Sequence, residues 1–246
     1  MKIKKALLSI LAISAVSSLS FAAPQDEYII KVLMDQSAST APEEVVPPES
    51  TENEDYQNEW MSFFHKKNTM LDIGTLDQWG PRLRNAFLTQ KGLRDSDLPQ
   101  VPFGLDNIGS VLFANNKFTN INFMKGVKYV RGDFMINMNT ISDLTPMSEV
   151  TGVSGWMILD GLPLRNLNGL QKLRHVGTFN IRIPTLTDIS AISNIESASM
   201  IWVDNPSQYK VKPAFGSPFC NGLDSGKIIA RGGNYATGKT SAELCQ

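Results

Sequence analysis

The sequence predicts an α/β repeat protein: a short solenoid with a parallel sheet, a helical N-terminal cap and a disulfide-pinned C-terminal cap. Three observations predict it. Residues 110–205 repeat in units that begin at residues 110, 133, 156, 178 and 200. The block before them is rich in apolar and aromatic residues, and the block after them carries both cysteines of the chain. A period in the twenties is typical of a solenoid, in which each unit buries its apolar face against its neighbours and the open ends need caps.

Apolar residues recur at the same places in every unit. Two columns with period-two spacing predict one short strand per unit. Their members are Val111, Phe134, Met157, Phe179 and Ile201, and Phe113, Ile136, Leu159, Ile181 and Val203. Later columns, about three residues apart, predict a return arm of short helical turns or extended chain. Gly132, Gly155 and Gly177 close their units and predict tight turns into the next strand. We therefore expect five parallel strands in one sheet.

The repeat resembles leucine-rich repeats, in particular the bacterial 22-residue type and the related receptor L-domain. The residues that carry the resemblance are Phe134-x-Ile136-x-x-Asn139-x-Ile141, Val111-x-Phe113-x-x-Asn116-x-Phe118 and the phrase from Leu186 to Ile195. The resemblance implies a strand-lined solenoid with a ladder of buried asparagine side chains. The third and fourth units depart from the pattern, because Leu162 and Pro184 stand at the asparagine position.

The N-terminal segment predicts export. Residues 1–22 combine a basic start, an apolar stretch and a small-residue end, which is typical of a secretory signal cleaved before Ala23. An uncleaved membrane anchor is the alternative, but the apolar run is short for a bilayer span. The sequence thus predicts a periplasmic, cell-surface or secreted protein with no integral membrane span after signal removal.

Residues 23–58 are acidic and rich in Pro and Glu, which predicts a disordered tether. Within it, residues 28–34 (YIIKVLM) predict a short strand or a partner-binding segment.

Two blocks flank the repeat and predict its caps. Residues 59–109 predict an N-terminal cap with two or three short helices between residues 59 and 99. Residues 206–246 predict a C-terminal cap in which Cys220 and Cys245 form a disulfide. Two free thiols are the alternative.

Several short motifs in the sequence do not predict a function. Residues 233–240 fit a phosphate-binding loop, but only six residues follow, too few for the helix that the chemistry needs. Arg131-Gly132-Asp133 matches an adhesion tripeptide, but its glycine is already explained as the residue that closes a repeat unit.

His65 and His175 are the only histidines and have no metal-ligand spacing. A net charge of −1 gives no electrostatic case for nucleic acid. The sequence therefore predicts no cofactor, no metal and no enzyme activity.

The strand face that points away from the core is the candidate binding surface. Large apolar residues recur there although the position should face water, which indicates a partner. The predicted ligand-binding residues are Leu112, Met135, Trp156, Ile158, Asp160, Arg182, Met200 and Trp202. Two alternatives remain: a cap or flanking loop covers this face, or β-propensity alone selected its residues.

The predicted function is that of an exported binding module whose sheet face recognises a protein or a glycan. The alternative is a structural subunit of a bacterial envelope assembly, such as a secretion, pilus or conjugation apparatus. In that case the block at residues 59–99 and the acidic tether would carry the contacts. The sequence predicts neither the identity of the ligand nor the oligomeric state.

Overall fold

The structure is a computed structural model that describes residues 51–67, 85–88, 90–137, 139–232 and 237–246. The predicted signal segment, most of the predicted tether with residues 28–34, and residues 68–84 and 89 of the predicted cap lie outside the described residues. The described α-helices are α1 (Thr51–Lys67), α2 (Pro218–Asp224) and α3 (Ser241–Leu244). The described strands are β1 (Ala86–Leu88), β2 (Asn107–Ile108), β3 (Val111–Ala114), β4 (Tyr129–Val130), β5 (Phe134–Asn137), β6 (Gly152–Asp160), β7 (His175–Arg182), β8 (Ser197–Val203), β9 (Ile228–Gly232) and β10 (Thr237–Lys239).

The described strands form one sheet that is mostly parallel. Its main path runs β1-β3-β5-β6-β7-β8-β9-β10, while β2 pairs with β4 and β4 with β6. Among these pairs, only β9 with β10 is antiparallel. The prediction of parallel strands in one sheet is confirmed.

Each strand of the repeat pairs with the strand one unit further along the chain. Val111 lies opposite Phe134, which lies opposite Met157. Met157 in turn lies opposite Phe179, and Phe179 opposite Ile201. These are the members of the first predicted column, and all of them are fully buried in one continuous hydrophobic core. The predicted columns therefore coincide with the pairing register.

A second parallel ladder runs along the return arms. Ile108, Val130, Val153, Val176, Ala198 and Ile228 lie opposite one another in sequence order and are buried. In β6, β7 and β8 one strand spans both ladders, and the pairing register shifts between them at Val153–Trp156 in β6 and at Ala198–Ile201 in β8. The return arm thus contains a short strand in each unit, as well as helical turns.

Glycines at the unit boundaries permit close approach of neighbouring backbones. The prediction that they make tight turns is wrong for Gly155 and Gly177, which lie inside β6 and β7. A Cβ atom on Gly177 would collide with the carbonyl oxygen of Ser154, and one on Gly155 would lie 2.9 Å from the carbonyl oxygen of Gly132. Only glycine lets the strands pack this tightly at the bend.

Each return arm opens with a repeated polar turn. The side-chain oxygens of Asn120, Asp143, Asn166 and Asp188 each accept a hydrogen bond from the backbone N–H two residues later, at 2.8–3.0 Å. Three of these turns lead into 3-10 helices, at Asn122–Met124, Thr145–Met147 and Ser190–Ile192. Asn and Asp favour such turns because their short side chains bond their own backbone. These turns were not predicted, although the four residues are spaced by one unit.

Buried asparagines join the second unit to the first and the first unit to the block before it. Asn139 Nδ2 donates to the carbonyl oxygens of Phe113 and Asn137, and Asn139 Oδ1 accepts from the Phe118 N–H. Asn116 Oδ1 accepts in the same way from the Leu93 N–H. In the third unit the buried side chain at this position is Leu162. In the fourth unit Pro184 is exposed and the preceding residue, Ile183, is buried instead.

Of the two or three short helices predicted between residues 59 and 99, those that fall on residues 68–84 lie outside the described residues, and the described helix is α1. Helix α1 begins at Thr51, within the segment predicted as tether, because its Gln57 and Trp60 are buried and bond the backbone near residues 101–104. Trp60 packs on Phe103 and Phe123 with ring centroids 4.7 and 5.8 Å apart.

Residues 86–88 form the edge strand β1, although their sequence predicts a helix. Apolar runs this short do not distinguish a helix from a strand, and pairing with Val111–Phe113 decides the outcome.

The block after the repeat completes the sheet and carries the disulfide. Strand β9 continues the parallel order beside β8, and β10 turns back against it. The predicted disulfide is confirmed: Cys220 in α2 bonds Cys245, which follows α3. Both cysteines are buried with Phe219 and Leu244. The disulfide therefore ties two short helices together over the end of the core.

Candidate functional site

The pairing register places three columns of side chains on the face of the sheet opposite the core. We name it the outward face. Its central row is Leu112, Met135, Ile158, Asn180 and Trp202, which lie opposite one another on β3, β5, β6, β7 and β8. Each residue stands between two inward neighbours, and side chains of a strand alternate between faces. The row therefore crosses the repeat from edge to edge.

An apolar and aromatic column flanks the central row at the N-terminal ends of the strands. Trp156 lies opposite Thr178, and Thr178 lies opposite Met200. Trp156, Met200 and the nearby Trp202 are all half-buried. Indole and thioether side chains with this degree of exposure keep apolar area available for contact with a partner.

A polar column flanks the other side. Asn137 lies opposite Asp160, Asp160 lies opposite Arg182, and Asp204 follows the end of β8. The Arg182 guanidinium lies 3.7 Å from the Asp160 carboxylate and 3.5 Å from the Asp204 carboxylate. Such exposed ion pairs contribute little to stability, typically about 0–1 kcal/mol. These three charged side chains therefore add little to the stability of the fold, and their main effect is on the charge of this edge of the face.

All eight predicted ligand-binding residues lie together on the outward face, but their exposure varies. Met135 and Ile158 are only 8% and 5% exposed, although neither belongs to the hydrophobic core. Leu112 and Asp160 are half-buried, and Arg182 is exposed. An Ile158→Asp substitution would therefore place a carboxylate in a buried position, which is costly without a partner. The exposed apolar area of the face lies in the two tryptophans, Met200 and Leu112.

Two amide side chains that were not among the predicted binding residues also lie on this face. The Oδ1 atoms of Asn137 and Asn180 are buried, and neither has a hydrogen-bond partner among the described residues. Asn180 is 8% exposed and is the one polar member of the central row. An unpaired buried acceptor costs about 1–3 kcal/mol, so each such atom needs an explanation. A polar residue within an otherwise apolar row was the signal that could have found Asn180.

The tripeptide Arg131-Gly132-Asp133 is part of the strand packing. Asp133 is buried, and its Oδ1 accepts a hydrogen bond from the Trp156 N–H at 2.6 Å. Its own N–H donates to Ser110 Oγ at 3.0 Å. The Asp133 carboxylate is thus turned into the sheet, away from any adhesion receptor.

Burial raises the pKa of the Asp133 carboxyl above 3.8, and the hydrogen bond from Trp156 offsets only part of this rise. A raised folded-state pKa means that the folded protein binds the proton more tightly than the unfolded chain. The resulting stability is fully present below 3.8 and is lost as the pH rises through the folded-state pKa.

We expect Asp133→Asn to melt at the same temperature as the parent, or higher, at neutral pH. The amide oxygen can still accept from Trp156 and carries no charge to desolvate. The advantage should shrink as the pH is lowered towards 3.8, as measured by calorimetry across that range. Asp143→Asn, at an exposed turn, is the matched control. A clear loss of stability at neutral pH for Asp133→Asn would show that the charge itself stabilises the fold.

The described part of the segment that matches a phosphate-binding motif forms a strand instead of a phosphate-binding loop. Its first residues, 233–236, lie outside the described residues, and Thr237–Lys239 form β10. Lys239 Nζ lies 2.9 Å from Glu243 Oε1, and Lys212 Nζ donates to the Glu243 carbonyl oxygen at 2.7 Å. These side chains line a cavity of about 500 Å³ between the C-terminal block and Asp204. The helix that follows, α3, has only four residues.

Metal-binding groups are absent from the part of the chain that the structure describes: no three His, Cys, Asp or Glu side chains come together there. The exposed His175 lies 3.0 Å from Ser197 Oγ, and the side chain of His65 lies outside the described residues. No helix among the described residues has the length and apolar character needed to cross a bilayer.

No protein-family model matches this sequence, and no match was found among the curated proteins.

Proposed function

We propose that this chain is an exported, non-enzymatic binding module: a short leucine-rich-repeat-like solenoid that recognises a protein or glycan through its outward face. The observation that carries the proposal is the make-up of that face. It combines half-buried Trp156 and Trp202 with a polar edge and with two buried amide oxygens that lack partners among the described residues. Aromatic residues beside polar groups are typical of surfaces that bind with specificity.

The repeat spacing supports the solenoid part of this proposal. Paired residues such as Val111 and Phe134, or Phe179 and Ile201, are separated by one sequence unit. The inward columns form one core without interruption, as expected when each unit buries its face against the next. The sheet is then a platform whose outward residues can vary without loss of the fold.

The disulfide supports an address outside the cytoplasm. Cys220 and Cys245 are paired and buried, and disulfides persist mainly in oxidising compartments. Together with the predicted signal segment, this favours the periplasm, the cell surface or secretion.

Trp202→Ala tests the proposal. We expect this variant to keep the melting temperature of the parent within a few degrees and to weaken partner binding by about 2 kcal/mol or more, because aromatic anchors dominate many interfaces. That loss corresponds to roughly thirtyfold weaker binding. The measurement is quantitative affinity capture of partners from intact cells with the parent and variant proteins, followed by titration of the captured partner.

Phe215→Ala separates the proposed function from a second candidate, and under the proposed function it should capture partners as the parent does. Phe215 is 62% exposed on the C-terminal block, remote in sequence from the outward face. Its exposure, with that of Val211 and Ile229, favours the second candidate function, a structural subunit of an envelope assembly. If Phe215→Ala abolishes capture while Trp202→Ala does not, the assembly role replaces the binding module.

A further inference from the structure

Resting on the proposed function, we propose that the ligand is an uncharged linear oligosaccharide that lies along β6 and stacks on Tyr129 and Trp156. One of its hydroxyl groups donates a hydrogen bond to the buried Oδ1 atom of Asn180. We name Tyr129, Ser154, Trp156 and Asn180 the sugar track. Two aromatic rings that follow one strand, the hydroxyl groups beside them and one unpartnered acceptor carry this assignment.

Strand β6 runs through the middle of the sugar track. Its residues Val153 and Met157 are fully buried in the core, and the residues that alternate with them point to the opposite side of the sheet. Among these, Ser154 is exposed and Trp156 is half-buried. Successive positions on one side of a strand lie roughly 7 Å apart, so Trp156 is the next side chain after Ser154 along this line.

Tyr129 supplies the first ring of the sugar track. It lies opposite Gly152, the residue of β6 two positions before Ser154. A Cβ atom on Gly152 would lie 2.2 Å from Cε2 of Tyr129, so the tyrosine ring occupies the space that a side chain would fill. The hydroxyl oxygen of Tyr129 lies 2.9 Å from Ser154 Oγ, which holds the ring against β6. The half-buried rings of Tyr129 and Trp156 therefore flank Ser154.

A pyranose ring matches such a surface because it has an apolar face of C–H groups and a rim of hydroxyl groups. Stacking on an aromatic ring removes the C–H face from water. The hydroxyl groups both donate and accept, so they need polar neighbours of either kind. Thr178 lies opposite Trp156, and the exposed His175 lies opposite Gly152. Polar side chains thus stand beside both rings.

Asn180 supplies a hydrogen bond that selects the ligand class. It lies opposite Ile158, one position further along and one strand across from Trp156, which is roughly 8 Å between Cα atoms. Its buried Oδ1 has no partner among the described residues. A sugar hydroxyl donates to it, whereas a proline-rich peptide offers mainly carbonyl acceptors. The exposed Arg182 is two residues away, and rotation of such side chains commonly accompanies binding.

The charges on this side of the sheet favour neither an acidic nor a basic ligand. Arg231 lies opposite Trp202 and adds a second guanidinium beside that of Arg182. Charges of both signs are therefore interspersed around the sugar track, with Arg131, Arg182 and Arg231 matched by Asp133, Asp160 and Asp204. We accordingly expect binding that changes little with salt concentration.

An array of immobilised ligands tests this inference with the folded parent protein. It carries linear neutral oligosaccharides of glucose, mannose, galactose and N-acetylglucosamine, acidic oligosaccharides, and proline-rich peptides. We expect binding to one or more of the neutral oligosaccharides, stronger for chains of several rings than for the single sugar. Isothermal titration calorimetry at low and high salt then measures the affinity of the neutral oligosaccharide that binds best.

Three variants locate the binding groups. Trp156→Ala and Tyr129→Ala should each weaken binding about tenfold or more, because each removes one stacking ring. Asn180→Leu keeps the side-chain size and removes the acceptor, so it should weaken binding roughly three- to tenfold. Its melting temperature should equal or exceed that of the parent, because an unpaired buried acceptor is lost.

Phe215→Ala and Asn122→Leu are the matched controls. They remove an exposed aromatic ring on the C-terminal block and an exposed amide on a return arm, and both should bind as the parent does.

Binding confined to acidic oligosaccharides or to proline-rich peptides would overturn the inference, as would unchanged affinity of a folded Trp156→Ala or Tyr129→Ala. A destabilised Asn180→Leu would show that its oxygen already has a partner and would overturn the selection of the ligand by this residue. A parent that binds no oligosaccharide would also overturn the inference, yet would leave the proposed function intact if Trp202→Ala loses capture of a protein partner. Undiminished capture by Trp202→Ala would instead contradict the proposed function itself.

Discussion

Leu159→Ala is expected to lower the free energy of unfolding by about 2–5 kcal/mol, because it leaves a cavity in a core that cannot fully collapse around it. Leu159 is fully buried and lies between Ile136 and Ile181 in the second inward column. Urea titrations followed by circular dichroism measure the change. Since each unit packs on both neighbours, the loss should affect the whole cooperative transition.

Leu112→Ala is the matched control, since the same atoms are removed from the half-buried end of the outward row. Its loss of stability should be clearly smaller than that of Leu159→Ala. Equal losses at the two positions would contradict the assignment of inward and outward faces.

Removal of the disulfide should have the second-largest effect. The bond joins residues 25 apart in sequence, and on the chain-entropy model a loop of this size is worth about 3 kcal/mol. We expect Cys220→Ala with Cys245→Ala to lower the melting temperature by an amount that matches the loss, with the repeat strands still formed. Calorimetry of the double variant and of the parent with and without reductant provides the measurement.

The reductant supplies the internal control for this variant. It should shift the melting temperature of the parent to that of the double variant and leave the double variant unchanged. Two alkylatable thiols in the unreduced parent would contradict the account of the C-terminal block.

The core of this fold could be predicted because the repeat constrains it twice. Residues such as Phe134 and Met157 must be apolar because they are buried, and they must recur one unit apart because they lie opposite each other in the sheet. The spacing of apolar residues in the sequence therefore predicts the pairing register of the strands. The disulfide followed from the presence of only two cysteines. The outward face followed from strand alternation once the inward columns were known.

The parts that could not be predicted depend on contacts between segments distant in sequence. Ala86–Leu88 become a strand because Val111–Phe113 lie beside them, and α1 begins early because Gln57 bonds the carbonyl oxygen of Gly104. Burial of Met135 and Ile158 on the outward face also depends on tertiary surroundings, which the two-residue alternation does not encode.

Deletion of one whole unit, residues 156–177, tests the central claim that this chain is a stack of equivalent repeats. The deletion joins Gly155 to Thr178, the residue that lies opposite Trp156 in the sheet, so the strand should continue in register. We predict a shortened protein that keeps its disulfide and unfolds in one cooperative transition in urea. Deletion of half a unit, residues 156–166, should abolish that transition. If the whole-unit deletion is as disruptive as the half-unit deletion, the repeats are not interchangeable and the solenoid account is wrong.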